Sequence, residues 1–406
     1  MKNTKILILN DGKKFSNWGI QAATDGIINI LKQKIDNVEF LYLPHSILIK
    51  NYSFDPKIFN KRLFNRNSRV ASRLFKENIE IPRVTDEFDF TADKWIKGEI
   101  TQGSKTILRL IEKSDVVVYN AEGSTYRNNR SAMRALFLLW LSSNRLNKKS
   151  YFLNGSVTIT SVDSIMPAMI NKTFLQIDGV SLREPESFDN LISIYPKLKE
   201  KLRVVPDSAF SVEASLTSSS DLINRLDLDE DFFCFSTSML PIDYKNTKSQ
   251  SAIVDLINKV KRKTPKIVIL ARDIEDQFLS NLAKETDAIL IDKRYTYSDV
   301  MYILSKSKFL ISGRYHHLIF AAKAGCPCIP FNTTSHKIVG LSRLFEGIMP
   351  LAIDPTDLRS NIDNIIQNVD YILDKGQVLR DKYRKVARSH SEAASEHANI
   401  VIGNKL

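Results

Sequence analysis

Cysteine is scarce in this chain, and long apolar runs and glycine-rich phosphate fingerprints are missing; each shortage removes a class of mechanism. Three cysteines in 406 residues, Cys234, Cys326 and Cys328, cannot build a disulfide framework or a four-ligand zinc site, so they read as reduced core thiols. No metal site is expected. The most apolar helical stretch, 132–141, is interrupted by Arg134 and followed by Asn144, Arg145, Lys148 and Lys149. That is too short to span a bilayer and predicts a buried helix. Residues 1–10 carry a short apolar run without the longer core and cleavage site of a signal peptide, so a cytoplasmic location is expected. No internal repeat, GxGxxG, zinc-finger, RNP-type or basic-zipper pattern is found.

Positive charge is plentiful. A net charge of +12 calls for anionic partners. The basic residues are spread along the chain without a nucleic-acid motif, which favours phosphorylated or carboxylated small molecules or anionic lipid over nucleic acid. One segment concentrates them. Over 61–76, Leu63, Phe64, Val70, Ala71, Leu74 and Phe75 form an apolar stripe, and Arg62, Arg66, Arg69, Arg73 and Lys76 a basic one. Such a helix suits peripheral contact with an anionic membrane or a lipid-linked pyrophosphate. The alternative is a surface helix packed on the first domain with solvated arginines.

Short apolar runs alternate with longer amphipathic ones, the pattern of parallel sheets wrapped by helices. Strands are expected at 5–10, 38–43, 115–120, 150–154, 179–183 and 202–206. A polar, serine-rich stretch at 213–221 then reads as a linker. Beyond it, strands at 232–237, 266–271, 288–291, 308–312 and 327–331 alternate with helices at 251–262, 274–285, 297–307, 317–324 and 335–345. The fold class is therefore α/β, with two Rossmann-like doubly wound domains facing a cleft. The boundaries read as 1–215, with a helical insertion at about 51–99, then 222–385, then a C-terminal helix at 386–406 packing back on the first domain. Ligands of such folds sit beyond the carboxyl ends of the strands.

The chemistry concentrates at those ends. Ser312-Gly313-Arg314-Tyr315-His316-His317 runs from a buried strand into the first turn of a helix that closes at Gly325. Unpaired N–H groups and the helix dipole favour an anion there. Lys337 opens another helix, where a cation opposes the dipole unless an anionic ligand accompanies it; the alternative is an exposed surface lysine. In the first domain, Asn17-Trp18-Gly19, Glu122-Gly123-Ser124 and Arg183-Glu184 stand at strand ends. Arg183 is the best anion ligand among them, a structural salt bridge to Glu184 or Asp207 being its other reading.

Together these segments, with Pro206-Asp207-Ser208-Ala209-Phe210 and Ala324-Gly325 through Pro327 to Lys337, resemble the polysaccharide pyruvyl transferase family. The resemblance runs over most of residues 5–345. It departs from the family at Ile20, at Tyr315, where an aliphatic residue is usual, and at Glu184, where Asp is usual; 51–99 has no counterpart. It implies a GT-B-like pair of domains that moves the enolpyruvyl group of phosphoenolpyruvate onto a sugar diol of a surface polysaccharide or its lipid-linked precursor. A cyclic ketal forms and phosphate is released, with no cofactor beyond the donor substrate. His316 is then the candidate general acid, beside Arg314. Glu122 or His317 is the candidate base. Arg183, Arg314 and Lys337 would anchor the donor's two anionic groups, with Asn17, Trp18, His317 and Ser312 lining the substrate. The alternative is a GT-B glycosyltransferase using a nucleotide sugar, whose ribose would need an acid such as Asp273, Glu275, Asp276 or Asp299. A non-catalytic binding protein of the same fold is a third reading.

Overall fold

A computed structural model of the chain describes residues 3–49, 80–126, 129–159, 165–213, 221–224, 226–238, 247–271, 277–333 and 335–403. The basic stripe at 61–76, most of the serine-rich linker, and Asp273, Glu275 and Asp276 lie outside the described residues.

The first half runs β1 (Thr4–Asp11), α1 (Trp18–Lys34), β2 (Val38–Pro44), α2 (His45–Ile49), α3 (Phe88–Ile96), α4 (Gln102–Lys113) and β3 (Val116–Tyr126). It continues with α5 (Arg130–Asn144), β4 (Lys149–Thr158), α6 (Met166–Gln176), β5 (Gly179–Leu182), α7 (Pro185–Ile194) and β6 (Leu202–Val204). The second half holds α8 (Asp221–Asn224), β7 (Phe232–Ser238), α9 (Thr247–Lys261), β8 (Lys266–Leu270), α10 (Gln277–Glu285), β9 (Ile289–Ile291) and α11 (Tyr297–Lys306). Then come β10 (Leu310–Gly313), α12 (Tyr315–Ala324), β11 (Cys328–Pro330), α13 (Lys337–Leu344), α14 (Leu358–Ala393) and α15 (Glu396–Ile402). Every strand expected from the sequence forms. β3 and β4 run beyond their expected ends, pairing as far as Tyr126 and Thr158.

Both sheets are parallel, with strand orders β2-β1-β3-β4-β5-β6 and β11-β10-β7-β8-β9. In the first, the chain departs in opposite directions from β1 and β3; in the second, from β7 and β10. Such switch points open a crevice at the carboxyl ends of their strands. The loops after β1 and β10 carry Asn17 and Arg314, and Glu122 lies on β3 itself, which is why residues far apart in sequence can share one site.

Three packing features hold the halves together. One face of α1 buries Ile27, Ile28, Ile30 and Leu31 on the first sheet, while Trp18, Ala22 and Ala23 belong to the core of the second half. α14 buries Leu358, Ile362, Ile365, Val369 and Ile372 at helical spacing, then breaks at Gly376, whose φ of 43° and ψ of −122° lie outside helical space. After the break, α15 returns to the first sheet. Its Ala398 and Val401 pack with Ile6, Ile8, Val116 and Tyr151, and the Tyr151 hydroxyl donates to Val401 O at 3.2 Å. The 132–141 stretch is buried within α5, as its composition implies. No helix among the described residues is long and apolar enough to cross a membrane.

Candidate functional site

The site is built on a buried ion-pair chain across the two halves. Arg183 follows β5 and is 1% exposed. Its Nε donates to Glu184 Oε1 at 3.0 Å and to Ser156 Oγ at 2.6 Å, and its Nη1 donates to Asp207 Oδ2 at 2.5 Å. Asp207 is fully buried and also accepts from Ala209 N at 2.8 Å. From the second half, His316 Nε2 lies 3.5 Å from the same Asp207 oxygen, and the Tyr315 ring lies 4.2 Å below the Arg183 guanidinium. The salt-bridge reading of Arg183 thus holds, with both carboxylates. It leaves Nη2, which turns toward Gly123, 3.2 Å from where a Cβ on that glycine would stand.

Lys337 comes to the same place from across the cleft. Its Nζ donates to Gly123 O at 2.9 Å, so it is a half-buried bridge between the halves rather than a surface lysine. A Cβ on Gly123 would collide with this ammonium, so glycine there leaves room for two cations beside β3. Glu122, one residue earlier, is 5% exposed and adopts the left-handed region at φ 48°, uncommon for a residue with a side chain. Buried asparagines flank it: Asn10 Nδ2 donates to Asn120 O at 2.7 Å, and Asn154 Nδ2 donates to Asn120 Oδ1 at 3.3 Å.

Electrostatics follow from burial and partners. Burial pushes Glu122 up to about 8, with Arg183 and Lys337 opposing and Asp207 assisting. Burial likewise lowers Lys337 to about 8, with help from the Arg183 charge and against Glu184 and Glu122. Asp207 lies well below the usual carboxylate range: burial opposes its charge, but Arg183 and His316 outweigh it. For His316, burial dominates and, despite the Asp207 carboxylate, holds the imidazole below its ordinary 6.5, with Arg183 and Lys337 assisting.

A family model described as polysaccharide pyruvyl transferase matches residues 21–336, well over half of the chain. The chain belongs to the polysaccharide pyruvyl transferase family. No curated protein matches it by sequence. Its fold is similar to that of UDP-GlcNAc 2-epimerase from Neisseria meningitidis bound to UDP-GlcNAc, at TM-score 0.56 and 12% identity, covering 99% of both chains. It is also similar to HepE from Anabaena in complex with UDP, at TM-score 0.55 and 12% identity, again covering 99% of both. A glycosyltransferase from Rickettsia africae gives TM-score 0.54 and 14% identity over 100% of this chain and 97% of that one. These likenesses establish the GT-B-like fold.

In this pyruvyl transferase family member the early Asn17-Trp18-Gly19 motif serves structure. Asn17 Oδ1 caps α1 by accepting from Gly19 N at 3.0 Å and Ile20 N at 3.4 Å. Trp18 is 1% exposed, and its indole N–H donates to Tyr295 O at 2.7 Å across the domain boundary. Gly19 provides clearance: a Cβ there would stand 2.8 Å from His316 Cβ and collide with the ring. Gly19→Ala is therefore expected to drive His316 away from Asp207 and lower turnover on the order of 10²-fold. Steady-state kinetics check this, and an unchanged kcat would remove the clearance role.

His317 and Ser312 are likewise committed elsewhere. His317 is 3% exposed; its Nδ1 pairs with Ser236 Oγ at 3.2 Å and its ring packs 5.5 Å from Trp18. It lies on the buried face of α12 and is poorly placed as a base. Ser312 Oγ accepts from Arg314 N at 3.0 Å and shapes the strand-to-helix turn. Arg314 itself stands at the N-cap of α12, its Nη2 3.5 Å from Thr237 Oγ1 on β7, at the second switch point.

Asp207, the hub of the site, was missed as a functional residue by sequence reasoning. Its signal was present in Pro206-Asp207-Ser208, a polar break after a strand, but nothing local indicated that it would meet His316. Asp299, open to a ribose-binding reading from sequence, instead closes a capping box with Thr296 at the start of α11. Among the described residues no cluster of three or more potential metal ligands forms.

Proposed function

We propose that the protein transfers the enolpyruvyl group of phosphoenolpyruvate to two hydroxyls of one sugar unit, as a pyruvate ketal, with release of phosphate. The observation that carries this reading is the crossing of Arg183, Lys337 and His316 at Gly123 and Asp207, where cations for two anionic groups meet a proton donor. Arg183 Nη2, Lys337 and Arg314 hold the donor's phosphate and carboxylate by charge-assisted hydrogen bonds. Binding these anions restores the charged imidazolium of His316, which burial alone disfavours.

The imidazolium then gives its proton to the methylene carbon, the C=C pair forming the new C–H bond and leaving an oxocarbenium-like C2. A sugar hydroxyl adds to C2 and loses its proton; the C–O bond to phosphate breaks; the second hydroxyl closes the ring. Of the two hydroxyl protons lost, one replaces the proton His316 gave to the methyl group, and the other leaves with phosphate. Glu122, pushed up to about 8, is mainly protonated at pH 7, so it suits protonation of the departing phosphate better than the base role suggested by sequence. Neutral His316, formed in the first step, is then the acceptor of a hydroxyl proton. No cofactor beyond the donor takes part.

The acceptor is a surface polysaccharide or its lipid-linked precursor, met on the cytoplasmic side. Phosphate release from phosphoenolpyruvate, assayed with hexose and N-acetylhexosamine glycosides, tests the reading. Acceptor-dependent release that is lost in Arg314→Ala is the expected result. Glycosylation of these acceptors from a UDP-sugar, with no release from phosphoenolpyruvate, would overturn it.

A further inference from the structure

His397 lies on α15, far in sequence from the catalytic motif, yet it is fully buried directly behind the Asp207 corner. The chain reaches this point only after α14 has crossed the second half and broken at Gly376. Both ring nitrogens are engaged. Nδ1 is 2.8 Å from Ser181 Oγ, which itself accepts from Asn154 N at 2.9 Å. Nε2 is 3.1 Å from Pro206 O. A carbonyl only accepts, so Nε2 carries the proton; Nδ1 then accepts from the Ser181 hydroxyl.

Pro206 is the residue before Asp207, and it has no N–H with which to anchor the corner. The bond from His397 therefore fixes the peptide that sets the direction of the Asp207 carboxylate. On the other side Asn154 Oδ1 accepts from Ser208 N at 2.9 Å, so the tripeptide 206–208 is held from both ends. We propose that His397 is a positioning residue for the reaction centre: through Pro206 it aims Asp207 at His316 and ties the acid's protonation to docking of the C-terminal helix on the first sheet. Burial lowers the His397 imidazole to about 4, against Pro206 and the Asp207 charge, so it stays neutral and keeps this hydrogen-bonding pattern throughout the neutral range.

The proposal rests on the pyruvyl-transfer reading for the role of His316 as acid, but its test does not need the acceptor. The full chain, labelled in histidine, is titrated by NMR, with the His316 signal assigned from its loss in His316→Gln. In His397→Ala, a less constrained Asp207 supports the imidazolium less, so the His316 titration moves to lower pH. Turnover falls by up to about 10²-fold. His397→Gln, whose amide N–H can still reach Pro206 O, restores both toward wild type; His397→Asn, too short to do so, does not.

An unmoved His316 titration in a folded His397→Ala would overturn the proposal and leave His397 a core residue only. Should His397→Ala fail to fold, identical His316 titrations in the Gln and Asn variants would overturn it equally. The parent reading fails separately, if phosphoenolpyruvate leaves the thermal stability of the wild-type protein unchanged.

Discussion

His316→Gln is expected to lower kcat about 10²–10⁴-fold, the range that loss of a positioned general acid produces. Glutamine retains a hydrogen-bonding amide of similar reach but cannot give up a proton. In the proposed reaction Arg183, Arg314 and Lys337 hold the donor's charge, so binding of phosphoenolpyruvate should survive, and the loss should appear in kcat rather than as a failure to bind. The pH dependence is more specific. The acid must be protonated, so wild-type kcat/KM declines as pH rises through the free-protein value of His316, which lies below 6.5. Bound anions favour the imidazolium, so kcat holds to higher pH than kcat/KM. In His316→Gln the limb belonging to this histidine disappears. Equal limbs in kcat and kcat/KM would mean that the donor's charge does not reach the ring.

The second large effect falls on stability. Arg183→Met removes the one guanidinium shared by Asp207 and Glu184, both fully buried. Breaking a buried pair by deleting one partner costs about 3–5 kcal/mol, because a desolvated charge is left without compensation. Urea unfolding should show a loss of this order near pH 7.

The sign of the pH dependence follows from Asp207, whose value is depressed by Arg183 and His316. Its stabilising contribution is complete above the unfolded value of about 3.9 and is lost as pH falls through the lower folded value. Without Arg183 that depression largely goes. The gap between wild type and Arg183→Met should therefore narrow on acidification below about pH 4. A gap independent of pH would place the cost in lost packing against Tyr315 instead.

Much of the fold was legible because buried parallel strands must be short apolar runs and their crossovers must be amphipathic. That single rule located the eleven strands found among the described residues, and the serine-rich stretch at 213–221 marked the change of sheet between β6 and β7. The second-half motif was legible for a related reason: Arg314 and His316 lie at a strand end followed by a helix N-terminus, and both features are local. What sequence could not show is pairing across the cleft. Asn17 and Trp18 stood at the right strand end for ligand contacts, but one caps its own helix and the other ties α1 to Tyr295. His317 adjoins His316, yet helical geometry turns it into the core, against Ser236 and Trp18. Asp207, Gly19 and Gly123 matter because of atoms contributed by residues more than a hundred positions away, and no local spacing encodes that distance.

Thermal unfolding of the wild-type protein and Arg314→Ala with millimolar phosphoenolpyruvate, beside UDP, CMP and GDP, tests pyruvyl transfer most directly. A ligand at about 100 times its dissociation constant adds about 2.7 kcal/mol to stability, enough to raise the midpoint visibly. Stabilisation by phosphoenolpyruvate but by none of the nucleotides, abolished in Arg314→Ala, is the predicted result. Stabilisation by a nucleotide alone, with phosphoenolpyruvate inert, would contradict pyruvyl transfer and turn the same cleft over to a nucleotide-sugar donor.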